Sequence, residues 1–352
     1  MKIAFHTYQL GERGTEVMIY NYAKYCQEIL GHESVIISTT SRPTPGLALF
    51  ENDFEVILYD EIWQQSGQNQ HLQNRFEEIV KNKNIDAFFA AKGGEDDKIF
   101  PSNCATWAHP IFRMDQPHGD VYAGVCKYIS DKHGGKFPHV FPIIENPRIT
   151  GDLRAELGIP EDAFVFGRHG GKDTFSLPFA YEAIAKTLQA RSDCYFLFLN
   201  TDRFIEHERV IHLPMTVDFQ RKFQFINTCD AMLHCRLDGE IFSQAVAEFS
   251  ISNKPVITWS GIILNENQQK MRHPSYDYGH QAVLKENGIY YHGPIDLQEI
   301  LTGISRSFVN QHDWDVYKDK YGPVRVMKQF ENVFIKGLNN CGHEFLEDGK
   351  TE

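Results

Sequence analysis

The sequence contains no CxxC pair. Its seven cysteines, Cys26, Cys104, Cys126, Cys194, Cys229, Cys235 and Cys341, are odd in number and well separated. That pattern excludes a zinc module or a disulfide scaffold and points to a reducing compartment. No apolar run approaches the roughly 20 residues of a membrane-spanning helix. No basic stretch followed by an apolar core opens the chain, so a cytoplasmic location is expected. A cationic surplus is missing too: 35 Lys and Arg against 47 Asp and Glu leave a net charge of -12. That is the wrong sign for holding nucleic acid through counterion release, and an anionic ligand must find a local basic pocket. Neither an internal repeat nor a low-complexity tract is present. The absence of GxGxxG and of GxxxxGK[ST] argues against a dinucleotide dehydrogenase and a P-loop enzyme.

What is present is enough chain for two domains: 352 residues, 42% of them hydrophobic, at roughly 100 to 200 residues per domain. Residues 2–8 read as a strand, followed by a glycine turn and a helix with Ile19, Ala23, Cys26 and Leu30 on one face. Strands are expected at 34–38, 54–59, 86–91 and 103–109, with a helix through Leu72, Phe76 and Ile79. A polar stretch at 145–151 reads as a linker. Beyond it the alternation restarts, with strands at 164–167, 194–199, 231–235 and 255–258 and helices between them. Asp296 and Glu299 resemble a capping box before a helix whose face is Leu297, Ile300, Leu301, Ile304 and Phe308. A last helical pattern runs from Trp314 through Tyr317, Met327, Phe330 and Phe334. Alternating helices and wholly apolar strands indicate parallel sheets covered on both faces. The expected class is α/β, two doubly wound parallel-sheet domains in tandem with ligand-binding loops at the carboxyl ends of the strands. The expected boundaries are 1–148, 149–313 and a C-terminal helix over 314–341 packing back toward the first domain.

Three stretches carry chemistry. Residues 10–14 (LGERG) join a strand to a helix and offer glycines and helix N-terminal amides to an anion, though a glycine turn serving only chain reversal fits equally. Residues 167–172 (GRHGGK) mix glycines with Arg168 and Lys172, the fork-shaped and point-charge donors that suit a diphosphate; His169 reads only as their neighbour. Glu240 precedes a helix with Ser243 as its N-cap, and Glu248 lies on that helix. Eight residues are about 2.2 turns, which lets the two carboxylates reach opposite ends of an elongated ligand with helix amides between them. The acidic run 95–97 follows a Gly-Gly turn and reads as a solvated loop, so no metal is expected.

In the stretch 237–259 the sequence resembles the family-4 retaining glycosyltransferases of the GT-B type, two Rossmann-like domains around an interdomain cleft. Glu240, Phe242, Glu248 and Pro255-Val256 match the family's Glu-x7-Glu segment; Ile241 and Ser243 replace its two glycines and Phe249 its alanine. Arg13-Gly14 with Glu16, the Gly167-Arg168 and Lys172 group, Asp230-Ala231 and Asn287-Gly288 extend the resemblance over most of the chain.

The resemblance implies a transferase moving a hexose-like sugar from a UDP- or GDP-linked donor to an acceptor hydroxyl on a carbohydrate or glycan. Configuration would be retained, with neither a cofactor nor a metal ion. Carried over, Glu248 holds the ribose hydroxyls and Glu240 the sugar hydroxyls. The amides of Phe242, Ser243 and Gln244, together with Gly14, face the diphosphate, and Arg168 and Lys172 neutralise the leaving group. His109, closing the strand 105–109, stands where the family places a histidine beside the reaction centre. His118, His133, His139, His234 and His273 are further cleft candidates without a ranking. Two other readings stay open: a GT-B-type nucleotide-sugar epimerase, and a non-catalytic bilobed binding protein.

Overall fold

The computed structural model describes residues 1–11, 13–60, 69–264 and 269–337. The chain forms two compact units, Met1–Ile143 joined by the chain from Lys320 onward, and Ile144–Asp319.

The first unit runs β1 (Lys2–His6), α1 (Gly14–Glu28), β2 (Glu33–Thr39), α2 (Leu47–Asp53), β3 (Glu55–Tyr59), α3 (Gln70–Lys83), β4 (Ala87–Lys92), β5 (Ala105–Pro110), β6 (Val121–Tyr122) and α4 (Lys127–Lys132). Its six strands are all parallel in the order β3-β2-β1-β4-β5-β6. Every residue of β4 is buried, as a sheet covered on both faces requires. On α1, Ile19, Ala23 and Cys26 face the core, and Gly31 leaves the helix at φ +67°.

The second unit runs α5 (Arg154–Leu157), β7 (Phe164–His169), α6 (Pro178–Ala190), β8 (Cys194–Leu199), β9 (Val210–Leu213), α7 (Phe219–Thr228), β10 (Ala231–His234), β11 (Gly239–Glu240) and α8 (Gln244–Ile251). There follow β12 (Val256–Trp259), β13 (Ile262–Leu264), β14 (Lys270–Arg272), β15 (Asp277–Tyr278), α9 (Gly279–Leu284), β16 (Gly288–Tyr291), α10 (Pro294–Gly303) and α11 (Arg306–Val309). The main sheet, β16-β12-β10-β7-β8-β9, is again wholly parallel. The expected α/β class, two doubly wound parallel sheets in tandem, is the observed one. In each sheet the strand order reverses once, between β1 and β4 and between β7 and β10, and such reversals are where α/β sheets bind ligands. Gly167 in β7 is required by close approach, because a Cβ there would overlap Cys229 Sγ.

Several expectations are corrected. The helix α10 begins at Pro294, whose fixed φ suits a first turn. Asp296 therefore lies inside it and accepts the His292 N–H at 3.1 Å instead of forming a capping box. Gly303 ends α10 and Ser305 caps α11, so Ile304 and Phe308 leave the α10 face. The C-terminal helix does not begin at Trp314. Trp314 and Tyr317 belong to the second unit, where the Trp314 indole donates to Val309 O at 2.9 Å and its carbonyl accepts Ser250 Oγ at 2.6 Å. The helix α12 (Pro323–Phe330) starts only after Gly322 and continues as a π-turn to Ile335. Within the first unit Phe330 and Phe334 pack on Phe89 and Trp107. Residues 338–341 of the expected helix, Cys341 among them, lie outside the described residues. The acidic run is not simply a solvated loop either: Asp97 is buried and ion-paired with buried Lys92.

Candidate functional site

The second unit gathers most of the expected residues at the reversal of its sheet. β7 ends in Arg168 and His169, and the adjacent β10 ends in His234. From β10 the chain passes through Gly239, at φ +64° where a Cβ would overlap Asp277 O, into Glu240. Ser243 then caps α8, its Oγ accepting the Val246 N–H at 3.4 Å. Glu248 follows on that helix.

Arg168 is 4% exposed. Its guanidinium donates to Gly171 O at 2.9 Å, to Asn200 O at 3.4 Å and to the hydroxyls of Thr201 and Thr174. Burial lowers its pKa to about 10, against which the Glu240 charge pulls upward, so it stays cationic at neutral pH.

Glu248, 3% exposed, accepts from Lys222 Nζ at 2.5 Å and from Gln244 Nε2 at 3.3 Å, while His169 Nε2 lies 3.2 Å from its other oxygen. Burial alone would raise its pKa. The Lys222 ammonium and His169 overcome that and hold it at about 2. His169, stacked on Phe249, is held below its ordinary pKa by burial despite that carboxylate.

Glu240 is partly exposed and pairs with Arg236 at 3.0 Å, with His234 Nε2 at 3.6 Å. Burial opposes its charge, but His234, Arg236 and His280 together keep the carboxyl below its usual range. Arg168, Glu240, Ser243, Gln244 and Glu248 thus occupy one region of one unit.

Phe242, whose amide is the expected contact, lies in the same segment between Glu240 and Ser243. Its ring is edge-on to Tyr317. Lys172 is 71% exposed and pairs with Asp202 at 3.1 Å, while its chain neighbour Gly171 and Thr201, next to Asp202, are held by Arg168. Gly14, the exposed first residue of α1, belongs to the first unit. So does His109, which is 0% exposed among the rings of Tyr22, Phe89 and Phe334. Its Nδ1 donates to Ala123 O at 2.7 Å, and burial lowers its pKa to about 4, so it is neutral at pH 7.

Sequence reasoning passed over His169 and Lys222 as partners of Glu248, and gave His234 no rank. Lys222 carries no local signal, since it meets Glu248 only through the packing of α7 on α8. The His234 pairing with Thr258 follows from the β10–β12 register.

Among the described residues, Asp96, Asp97 and His118 bring metal-ligand atoms within 4.8 Å of one another. Lys92 and Lys98 already neutralise the two carboxylates, which disfavours a cation. Asp96 and His118 also line a pocket of about 840 Å³ in the first unit, about half polar and half apolar, with Asn69, Gln70, Gln73 and Phe100 among its walls. No helix among the described residues is long and apolar enough to cross a membrane.

No family model matches the chain, and no curated protein matches its sequence. Solved structures match its fold. A glycosyltransferase from Rickettsia africae superposes with a TM-score of 0.68 at 12% identity, over 96% of this chain and 99% of that one. Anabaena HepE in complex with UDP gives 0.64 at 14% identity, over 96% and 100%. A UDP-N-acetylglucosamine 2-epimerase gives 0.58 at 11%, over 96% and 97%. The fold is the GT-B type that these structures share.

Proposed function

We propose that the protein is a nucleotide-sugar glycosyltransferase that moves a hexose-like sugar from a nucleoside diphosphate donor to a carbohydrate hydroxyl, retaining configuration and requiring no metal ion. The observation that carries this reading is the pair of ionised carboxylates, Glu240 and Glu248, set on either side of the α8 N-terminus with the buried Arg168 cation beside them. Such a strip matches a donor from end to end: a diol-binding carboxylate for the ribose, N–H groups and a cation for the diphosphate, and a second carboxylate for the sugar hydroxyls. Arg168 supplies a fixed positive field that offsets charge developing on the leaving diphosphate. Lys172, on the exposed loop, closes on the phosphates after leaving Asp202. On the first unit, His109 and Gly14 keep the roles the family resemblance gives them, and the amide-lined pocket suits a hydroxyl-rich acceptor.

The first test is thermal stabilisation by UDP, GDP and their sugar conjugates, with and without a divalent ion and with Glu248→Ala as control. At 100 times Kd a ligand adds about 2.7 kcal/mol. A metal-independent shift for one base, lost in the variant, is the expected result. No shift with any of them overturns the donor site and favours a non-catalytic role. With the donor identified, Glu240→Gln should cost roughly 10²- to 10³-fold in transfer; retention of more than half the activity would sink the assignment.

The likeness to a 2-epimerase structure favours one second reading, nucleotide-sugar epimerisation. Incubating the donor alone separates the two, because an epimerase produces a new epimer without any acceptor.

A further inference from the structure

Behind Glu240 lies a chain of buried polar groups that the proposed reaction does not use. His234 Nδ1 is 2.9 Å from Thr258 Oγ1, and the same hydroxyl is 3.1 Å from His280 Nε2. All three residues are at least nine-tenths buried. His234 Nε2 has no hydrogen-bond partner in the core and faces Glu240 Oε1 at 3.6 Å. Tyr276 closes the far end: its hydroxyl donates to Trp259 O, accepts Gln281 Nε2 at 2.7 Å and lies 3.4 Å from His280 Nε2. The charged groups facing this chain are Glu240, with its carboxylate and its backbone carbonyl, Arg236 and, at the Tyr276 end, Arg272.

Resting on the donor-site reading above, we infer that His234 is a positioning residue that presents an N–H to Glu240, with its ring locked by Thr258 and His280. A hydroxyl has one proton, so the chain has two arrangements. In one, His280 Nε2–H donates to Thr258, which donates to His234 Nδ1; the proton of a neutral His234 is then on Nε2, toward Glu240. In the other, His280 holds its proton on Nδ1, toward the Glu240 carbonyl. Thr258 then donates to His280 and accepts from His234 Nδ1–H. That arrangement turns a bare His234 Nε2 lone pair toward the Glu240 carboxylate, which repels it, so the first arrangement is the favoured one. Glu240 therefore faces an N–H, and reaching the other arrangement takes both a turn of the Thr258 hydroxyl and a shift of the His280 proton from Nε2 to Nδ1. The Glu240 carboxylate is thereby held in a fixed orientation. His234 touches no reacting atom and acts only through Glu240.

Two measurements test this. Long-range proton–nitrogen spectra of ¹⁵N-histidine-labelled protein, with His234 identified by its loss in His234→Gln, should show Nε2 protonated across pH 5 to 8. A His234 with a bare Nε2 at pH 7 overturns the inference, and this readout needs no known substrate. With a donor in hand, His234→Ala should lower kcat roughly 10- to 100-fold with donor KM little changed. His234→Gln, which keeps an N–H in reach, should recover most of that loss. Should His234→Ala not fold, the isosteric Thr258→Val replaces it: it should randomise the His234 tautomer and lower kcat, and an unchanged tautomer and rate refute the chain. Glu240→Gln separates the levels. If it abolishes turnover while His234→Ala does not lower it, only this inference fails; if Glu240→Gln itself keeps turnover, the donor-site reading fails.

Discussion

Replacing Glu248 with Gln removes a carboxyl that the fold holds at a pKa of about 2 against an ordinary 4.5. A depressed carboxyl pKa stabilises the native state above the unfolded value, and the stabilisation disappears as pH falls toward the folded value. At 1.36 kcal/mol per pH unit, the difference between 4.5 and about 2 amounts to about 3 kcal/mol at neutral pH. The residue is buried, so solvent screening does not reduce the figure much. The linkage relation puts about half of that loss between pH 4.5 and 3. Urea titrations at pH 7, 4.5 and 3, read by hydrogen exchange of the α8 amides so that the second unit reports alone, give the stability of the parent and of Glu248→Gln. The gap between them should hold nearly constant from pH 7 to 5 and change by about 1 to 2 kcal/mol between pH 4.5 and 3. Parallel curves over the whole range would show that Lys222 and His169 do not hold the carboxylate, and the geometry assigned to the ribose end would be refuted.

Lys222→Met leaves a buried carboxylate without its cation and should destabilise the protein by about 3 to 5 kcal/mol. Adding Glu248→Gln should restore much of this, as a melting series over the three variants shows. Gly167→Ala forces a Cβ onto Cys229 Sγ and should cost about 1 to 3 kcal/mol; the double variant with Cys229→Ala should recover part of the melting temperature. Asp97→Asn strips the buried Lys92 of its counter-charge and should lower stability by about 3 to 5 kcal/mol. Because Lys92 and Asp97 are both in the first unit, hydrogen exchange should place that loss in β1 and β4 and leave α8 unchanged.

The parallel sheets were legible because their strands are apolar on both faces, as in Val35-Ile36-Ile37 and in 194–199, and because β-branched and aromatic runs recur between amphipathic helices. The Ser243 cap was legible for the same local reason, since a hydroxyl before a helical run finds its own N–H partner. The helix expected from Trp314 was not. A Trp and a Tyr at helical spacing from Met327 fit the period, and only the packing of Trp314 against Val309 and Ser250 assigns them to the second unit. The acidic run misled for another reason: Lys92 is only five positions before Asp97, but the spacing alone does not show that the loop turns back to bury the two together.

The candidate site divides along that line. Glu240 and Arg168 were readable, since a carboxylate or a guanidinium beside a glycine at the end of an apolar strand has few places to go, and Glu248 was readable from its spacing to Glu240 along the capped helix. Their ionisation and orientation were not readable. Lys222 is 26 positions from Glu248 and Thr258 is 24 from His234, and both pairings exist only because α7 packs against α8 and β10 pairs with β12. The amino-acid sequence by itself determined the two α/β sheets and which charged groups stand at their strand ends, because hydrophobic period and turn chemistry are local properties. The partners that set each group's charge and direction were decided by the tertiary structure alone, because burial and counter-charge come from residues that the chain brings together from a distance.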